Sequence, residues 1–350
     1  MILQLYDADP RGVVTNRVCP LPDCSSAVVR REINGEYSLT ATLPPGSLFE
    51  NEIILGRAIK AVVNEDGKEQ YFIVKNRPRS LSGGLSIYAE HQSYYYNGVI
   101  IAGGAALPNG QPRVVFEALR PAAKPSITDI SAWTYSRPSS LRAYFPARPA
   151  PITLMEALKN HLVGNAGGEL IFDAFDVEYV DTMGADKGAF YRYGVNLTEM
   201  ESEDILDGYA SGIYPFWGSF GDADRPLTTL SDYVLPYPGT FPLQVVIPVD
   251  MTDLFETKPT QAQLLAAAQE YAALHAPTGV PVSIKAARAR IEGDTSVDLG
   301  DTVRVVNAHW GIDTKTRIQA LNFDALRGRV IDVELGTVNP GFAGAVKNMK

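Results

Sequence analysis

Leu55-Gly56-Arg57-Ala58-Ile59-Lys60-Ala61-Val62 and Leu299-Gly300-Asp301-Thr302-Val303-Arg304-Val305-Val306 are the two stretches whose reading decides the fold. Each runs leucine, glycine, then apolar and polar side chains in alternation, the period of a strand with one face buried. They lie 244 residues apart (299 − 55 = 244), and the same offset carries Gly67 onto Gly311 and Gly84 onto Gly328. Each copy therefore spells Leu-Gly, alternating strand, glycine turn, strand, glycine turn, strand. Two similar small β-barrels in one chain are expected from this repeat. Ile59 and Ala61 should face the same way as Val303 and Val305, because a slip of one residue would turn one set outward.

Outward from the first copy, Tyr37–Leu43 alternates after the turn dipeptide Asn34-Gly35. Residues 59–63 and 71–74 read as strands joined across 64–70, and 85–89 follows Gly83-Gly84. Residues 103–151 are rich in Pro, Gly and Ala and show little periodicity. A helix is expected from Thr153, where Thr153-x-x-Glu156 forms a capping box, Leu154, Leu158 and Leu162 make a stripe, and Gly164 stops it. A strand at 169–172 and another at 176–180 follow. A second capped helix is expected from Thr260-x-x-Gln263 to Pro277 and Gly279, then strands at 282–284, 302–306, 317–321 and 330–335. The expected fold class is α+β, mostly β: a first tube-type barrel over 1–97, an inserted α+β domain over 98–190, and a second tube-type barrel over 191–350 carrying the helix at about 260–275.

The 350 residues suffice for two or three domains, and 45% hydrophobic content allows ordinary cores. A net charge of −9 argues against a general nucleic-acid binder, which concentrates Lys and Arg on its phosphate-facing surface. No cationic start or small-residue cleavage site follows Met1, so no secretory leader is expected. The apolar run 99–107 is broken by Gly103-Gly104 and is too short for a bilayer.

Chemistry has little foothold. Cys19 and Cys24 sit in a proline-bearing loop that offers no helix N-terminus to activate a thiol, and two cysteines make half a zinc site at best. His91, His161, His275 and His309 are scattered, with no His-Glu-x-x-His. His161 and His275 fall near expected helix C-termini, where the helix dipole favours a cation. Gly218-Ser219-Phe220-Gly221 is one residue short of a nucleophile elbow. Asp222-Ala223-Asp224 lacks the downstream spacing of a calcium loop and reads as a solvated turn before Pro226. Tyr94-Tyr95-Tyr96 reads as tyrosines alternating along a strand, contributing core and interface area. The expectation is no catalytic, cofactor-binding or metal-binding residue, and no cofactor.

Several segments, in order, resemble the phage minor structural protein family, also called prophage endopeptidase tail or tail-associated lysin proteins. They are Leu3-Gln4-Leu5-Tyr6-Asp7, Asn34-Gly35-Glu36-Tyr37-Ser38-Leu39, Tyr71-Phe72-Ile73-Val74, and Leu85 to Tyr94 with its Tyr-Ala-Glu-His-Gln-Ser-Tyr run. Gly168-Glu169-Leu170 with Asp173 and Phe175, Gly184-Ala185-Asp186-Lys187-Gly188, Tyr191 to Leu197, Ile213-Tyr214-Pro215 and Leu299 to Val303 complete the series. The resemblance implies a hub similar to those of contractile-tailed phage baseplates. Such hubs are homotrimers whose two barrels per subunit form a pseudo-sixfold ring joining a sixfold tail to a threefold tip. The implied partners are the distal tail protein ring, the tape measure protein and tip or receptor-binding proteins, with DNA passing only transiently and no membrane insertion. The implied place is the virion tail tip of a phage, prophage or tailocin, after synthesis in host cytoplasm. Peptidoglycan cleavage in this family is expected in a further C-terminal domain, beyond the last strand motif before Lys350, and none of the matching segments is catalytic, so no catalytic residue carries over. The alternative reading is a cell-wall hydrolase or endopeptidase of the tail tip.

Overall fold

The computed structural model describes residues 1–80, 84–102, 111–138, 151–204, 210–230, 235–237, 243–255, 257–275, 282–288, 296–309 and 312–336. The chain is mostly β. Ten strands form two like units, numbered here in chain order. The first holds β1 (Ser26–Glu32), β2 (Tyr37–Leu43), β3 (Ala58–Val62), β4 (Glu69–Asn76) and β5 (Gly84–His91). The second holds β6 (Leu197–Asp204), β7 (Val282–Arg288), β8 (Thr302–Asn307), β9 (Ile312–Asp324) and β10 (Arg329–Gly336).

Within the first unit the order across the sheet is β1-β2-β5-β4-β3, and within the second it is β6-β7-β10-β9-β8. The two orders are the same. β9 joins them, because its second half pairs with β1 from Ala320↔Glu32 to Asp324↔Val28. Leu3–Ala8 and Val14–Leu21 extend the sheet beyond β3, Asp186–Arg192 lies parallel to β8, and the short strand Arg79–Ser80 pairs with β5, giving fourteen strands among the described residues.

Strand alternation makes the main core. Leu39, Ala41, Leu43, Ile59, Phe72, Val74, Leu85, Ile87 and Ala89 of the first unit meet Val303, Val305, Ile318, Leu321, Phe323, Val333 and Leu335 of the second. Each fully buried aliphatic side chain contributes about 1.5–3 kcal/mol relative to exposure. A second core lies between residues 96 and 179. There Val115, Phe116 and Leu119 of helix Pro112–Ala122 and Leu154, Leu158 and Leu162 of helix 154–166 pack near Leu170, Val177 and Tyr179. A third core joins helix Gln261–His275, through Leu264 and Ala268, to Ile213 on strand Gly212–Trp217.

The two expected caps form: Glu156 N donates to Thr153 Oγ1 at 3.1 Å, and Thr260 and Gln263 bond reciprocally, N to Oε1 at 2.9 Å and N to Oγ1 at 3.3 Å. Three local expectations are corrected. Gly164 does not end its helix, which passes through a π-helical stretch, Ala157–Val163, and closes at Gly167 with φ +63°. Tyr94, Tyr95 and Tyr96 lie on the 3₁₀ turn Gln92–Gly98 and not on a strand. Residues 103–151 hold helix Pro112–Ala122 and strand Trp133–Ser136, which composition concealed. Gly311, Pro277 and Gly279 lie outside the described residues.

Candidate assembly surface

The β3–β4 and β8–β9 hairpins are equivalent residue by residue. Ala58↔Ile73, Ile59↔Phe72, Lys60↔Tyr71, Ala61↔Gln70 and Val62↔Glu69 pair in the first. Thr302↔Arg317, Val303↔Thr316, Arg304↔Lys315, Val305↔Thr314 and Val306↔Asp313 pair in the second, each residue displaced by the same 244. Ile59, Ala61, Val303 and Val305 are all buried, so the faces agree as the repeat requires. The turn preceding each hairpin matches too: Gly56 N donates to Val74 O at 3.0 Å and Gly300 N to Ile318 O at 2.9 Å, with φ +87° and +84°. Lys60 Nζ meets Glu69 at 2.8 Å, and Arg304 meets Asp313 at 2.7 Å, at equivalent outward positions. Such exposed pairs contribute only about 0–1 kcal/mol to stability. What they supply is the same charge pattern on the outer face of both hairpins.

The third strand also obeys the repeat, with one adjustment. Val74 pairs with Ala89, whereas Ile318 pairs with Leu335. The shift is two residues, an even number, and leaves the same face inward. A bulge follows at the same place in both units, between Val74 and Asn76 and between Ile318 and Ala320.

The surroundings of the two hairpins differ. At the start of β3, Arg57 bonds Asp7 at 2.9 Å and Glu52 at 3.0 Å. At the equivalent place Asp301 is buried, accepts from Ala185 N at 2.9 Å, and pairs with Lys187 at 2.9 Å. Arg317 at the far side of β8–β9 holds the buried Glu169 through two bonds of 2.8 and 3.0 Å and donates to Met183 O at 2.8 Å. The second hairpin is thus fixed to the middle region by an ion pair whose carboxylate is buried and whose arginine is partly exposed.

A cavity of 330 Å³ lies where the units meet, lined by Arg31, Tyr37, Tyr94, Lys159, Asp298 and Asp301 among others. Arg31 pairs with Asp298 across it. Burial pulls the Lys159 amine down to about 8, and its Nζ donates to Gly35 O at 2.6 Å beside the Tyr94 ring. Asn34 closes the clamp: its Nδ2 donates to Gly168 O at 3.0 Å, and its Oδ1 accepts from Leu170 N at 2.9 Å. Neither Lys159 nor the Glu169–Arg317 pair is legible in the sequence, because both partnerships join residues more than a hundred positions apart.

The residues weighed for chemistry are dispersed. Burial raises the thiol pKa of Cys19 and of Cys24, the reverse of what a nucleophile needs. His91 is fully buried, stacks on Tyr37 at 4.1 Å, and lies 2.9 Å from Ser93 Oγ and 3.0 Å from Gln70 Oε1. Burial lowers its pKa to about 3 and keeps it neutral. The cation reading of His275 is corrected, since burial lowers its pKa and its ring stacks on Tyr271, and His161 is fully buried inside the π-helical stretch and not at a helix end. His309 is exposed in a turn, its N–H donating to Asn307 Oδ1 at 3.1 Å. Asp222 accepts from Asp224 N at 2.9 Å and Arg225 N at 3.0 Å, as a solvated turn does. Among the described residues no group of three or more His, Cys, Asp or Glu could hold a metal ion, and no helix is long and apolar enough to cross a membrane.

No protein-family model and no curated protein sequence matches the chain. Solved structures do. The prophage tail protein gp18 from Listeria monocytogenes EGD-e superposes with a TM-score of 0.62 at 15% identity, covering 100% of this chain and 99% of that one. The fold is that of phage tail proteins. The tail protein from Neisseria meningitidis MC58 (TM-score 0.59, 14% identity) and the 43 kDa tail protein of prophage MuSo2 from Shewanella oneidensis (0.58, 12%) each cover 97% of this chain and 98% of their own. The ordered motifs of the sequence thus led to the right fold, while the prophage endopeptidase tail family as such has no matching model behind it.

Proposed function

We propose that the chain is a structural hub of a phage, prophage or tailocin tail tip, a homotrimer whose two five-strand units per subunit form a pseudo-sixfold ring. The observation that carries this is the equivalence of the β3–β4 and β8–β9 hairpins in every pair, including the outward Lys60–Glu69 and Arg304–Asp313 pairs. A sixfold ring of tail subunits needs six like surfaces, and three chains with two like hairpins provide them. The whole-length likeness to tail proteins of two prophages and of Neisseria supports the same reading. On it, the two tube-type units flank an inserted region of about residues 98–190, the distal tail protein binds one side, and the tape measure and tip proteins bind the other. The role is assembly and not catalysis, in the virion. Electron microscopy of the purified protein is expected to give threefold rings with a sixfold inner repeat, alone or with the distal tail protein. Light scattering that finds a monomer at every concentration, with and without that partner, would overturn the ring. Turnover of purified cell wall would overturn the non-enzymatic role.

A further inference from the structure

Three regions of the chain close on the 330 Å³ cavity. Tyr37 comes from the first unit, Met155, Lys159 and Leu170 from the middle region, and Leu299 from the turn that enters β8. Met155 and Leu170 are buried, and with Leu299 and the two rings of Tyr37 and Tyr94 they give the cavity an apolar wall. Lys68, Gly184 and Lys187 line it too and are exposed, so it opens to solvent on their side. Its size falls at the lower end of small-molecule sites, which span about 300–1,000 Å³.

The charged groups around the cavity are paired, with one exception. Arg31 meets Asp298, Lys187 meets Asp301 at 2.9 Å, and Lys68 meets Asp173 at 3.0 Å. Glu32 and Glu36 share Arg30, at 3.4 and 3.3 Å. Lys159 has no carboxylate at ion-pair distance among the described residues. The acid whose field reaches it is Glu32, but that carboxylate is taken up by Arg30 and by the N–H of Glu36, at 3.0 Å. An ammonium group carries three donors. One of them goes to Gly35 O at 2.6 Å, and the Tyr94 ring covers another side with its centroid 5.7 Å away. A desolvated cation with no counter-ion is costly, and an anion placed beside it relieves that cost.

We propose that this cavity binds a small monocarboxylic acid, its carboxylate on Lys159 Nζ and its apolar body against Met155, Leu170 and Leu299. One uncompensated cation calls for one negative charge. A dianion such as phosphate is disfavoured, because Glu32, Glu36, Asp298 and Asp301 line the same space. The ligand touches all three regions at once, so its binding free energy adds to the stability of their docking by mass action. The site is independent of the ring and of the assembly role.

The test uses the full chain with hexanoate, octanoate and hydrocinnamate, each titrated calorimetrically against its own primary amide. The acids are expected to bind with a Kd of about 1 mM or tighter, the range open to ligands of about ten non-hydrogen atoms. Each acid should bind at least about tenfold tighter than its amide, the worth of a charge-assisted hydrogen bond. The Tm should rise with acid concentration and not with amide. Lys159→Met keeps an apolar stem of similar length and should remove the preference for the acid while leaving amide binding unchanged. Acylation of the unaltered protein needs no variant: octanoate should slow labelling of Lys159, read by mass spectrometry, and leave Lys68 and Lys187 as they were. N-acetylleucine separates the two sources of such a carboxylate. Binding as tight as octanoate's marks a chain end as the occupant and weaker binding marks a free acid, and either result upholds the site. Equal affinity for acid and amide means that water alone satisfies Lys159 and overturns the proposal. So does the absence of binding by any acid up to about 10 mM, or labelling of Lys159 that octanoate does not slow.

Discussion

Alanine at Gly56 and alanine at Gly300 are one chemical change made at two copies of one backbone position, and they are expected to cost different amounts. Both glycines hold left-handed φ, +87° and +84°, and both donate the same hydrogen bond to the following hairpin. A Cβ in that conformation costs about 1–2 kcal/mol. At Gly56 the new methyl would meet nothing within 4 Å. At Gly300 it would sit 2.7 Å from Met183 O and 2.9 Å from the Met183 carbonyl carbon. That backbone cannot easily give, since Met183 N donates to Glu169 at 2.6 Å and Met183 O accepts from Arg317 at 2.8 Å. Overpacking of this kind adds about 1–3 kcal/mol. The expected losses are therefore about 1–2 kcal/mol for Gly56→Ala and about 2–5 kcal/mol for Gly300→Ala. Native-state hydrogen exchange of peptides covering Ala58–Val62 and Thr302–Asn307 reads each hairpin separately. Exchange should accelerate at least about fivefold more at the second site than at the first, since tenfold corresponds to about 1.4 kcal/mol and the added overpacking to about 1–3 kcal/mol. Equal accelerations would refute the claim that the two turns share a backbone and differ only in what covers them.

Three further outcomes are expected. Glu169→Ala removes the buried carboxylate that accepts from Arg317 and from Met183 N and should cost about 1.5–3 kcal/mol in urea denaturation, whereas Glu169→Leu with Arg317→Met should cost less; equal costs would show that the pair fixes nothing. His91 is neutral in the fold, with a pKa of about 3 against about 6.5 in the unfolded chain, so its contribution is complete above pH 6.5 and declines as pH falls toward 3. Stability should fall with acidification less steeply for His91→Gln, by up to about 1.4 kcal/mol per pH unit, and identical slopes would rule the assignment out. Tyr96→Phe removes a hydroxyl bonded to Ser131 Oγ at 2.8 Å and to Phe175 O; the Tm should drop by an amount equivalent to about 1–2 kcal/mol, and an unchanged Tm would mean that the hydroxyl is dispensable.

The strands β3, β4, β8 and β9 were legible because their signal is local: period-two burial between glycines that must take positive φ. Ile59, Ala61, Val303 and Val305 could be assigned a face from alternation alone. Strand order was less accessible. β6 and β7 are separated by residues 205–281, and nothing local marks them as partners, while β1 and β2 meet across one tight turn. Helix Pro112–Ala122 escaped notice although Pro112 sits at its first turn and Val115, Phe116 and Leu119 make its buried face. The glycines and prolines around it dominated the composition. Gly164 looked like a helix stop because glycine disfavours helix interiors; the π-helical register carried the helix past it to Gly167, which has the left-handed φ that ends a helix. The cavity residues could not be read from sequence at all, since what makes them notable is which distant segments lie beside them.

The first two strands of each unit are joined in very different ways. In the first unit the link is the Asn34-Gly35 turn, seized from outside by Lys159, Gly168 and Leu170. In the second unit the same position opens into a separately packed body built on helix Gln261–His275. One site is a socket and the other an outlet. Lengthening the turn at Asn34 would break the clamp that seats the middle region, whereas residues 205–281 show that the opposite site carries added mass without disturbing strand order. In a ring of three such chains, appendages would emerge at every second position, 120° apart, on a core whose strands repeat every 60°. Conversion from sixfold to threefold symmetry would then take place in the connecting segments, leaving the sheet itself free to match the tube above it.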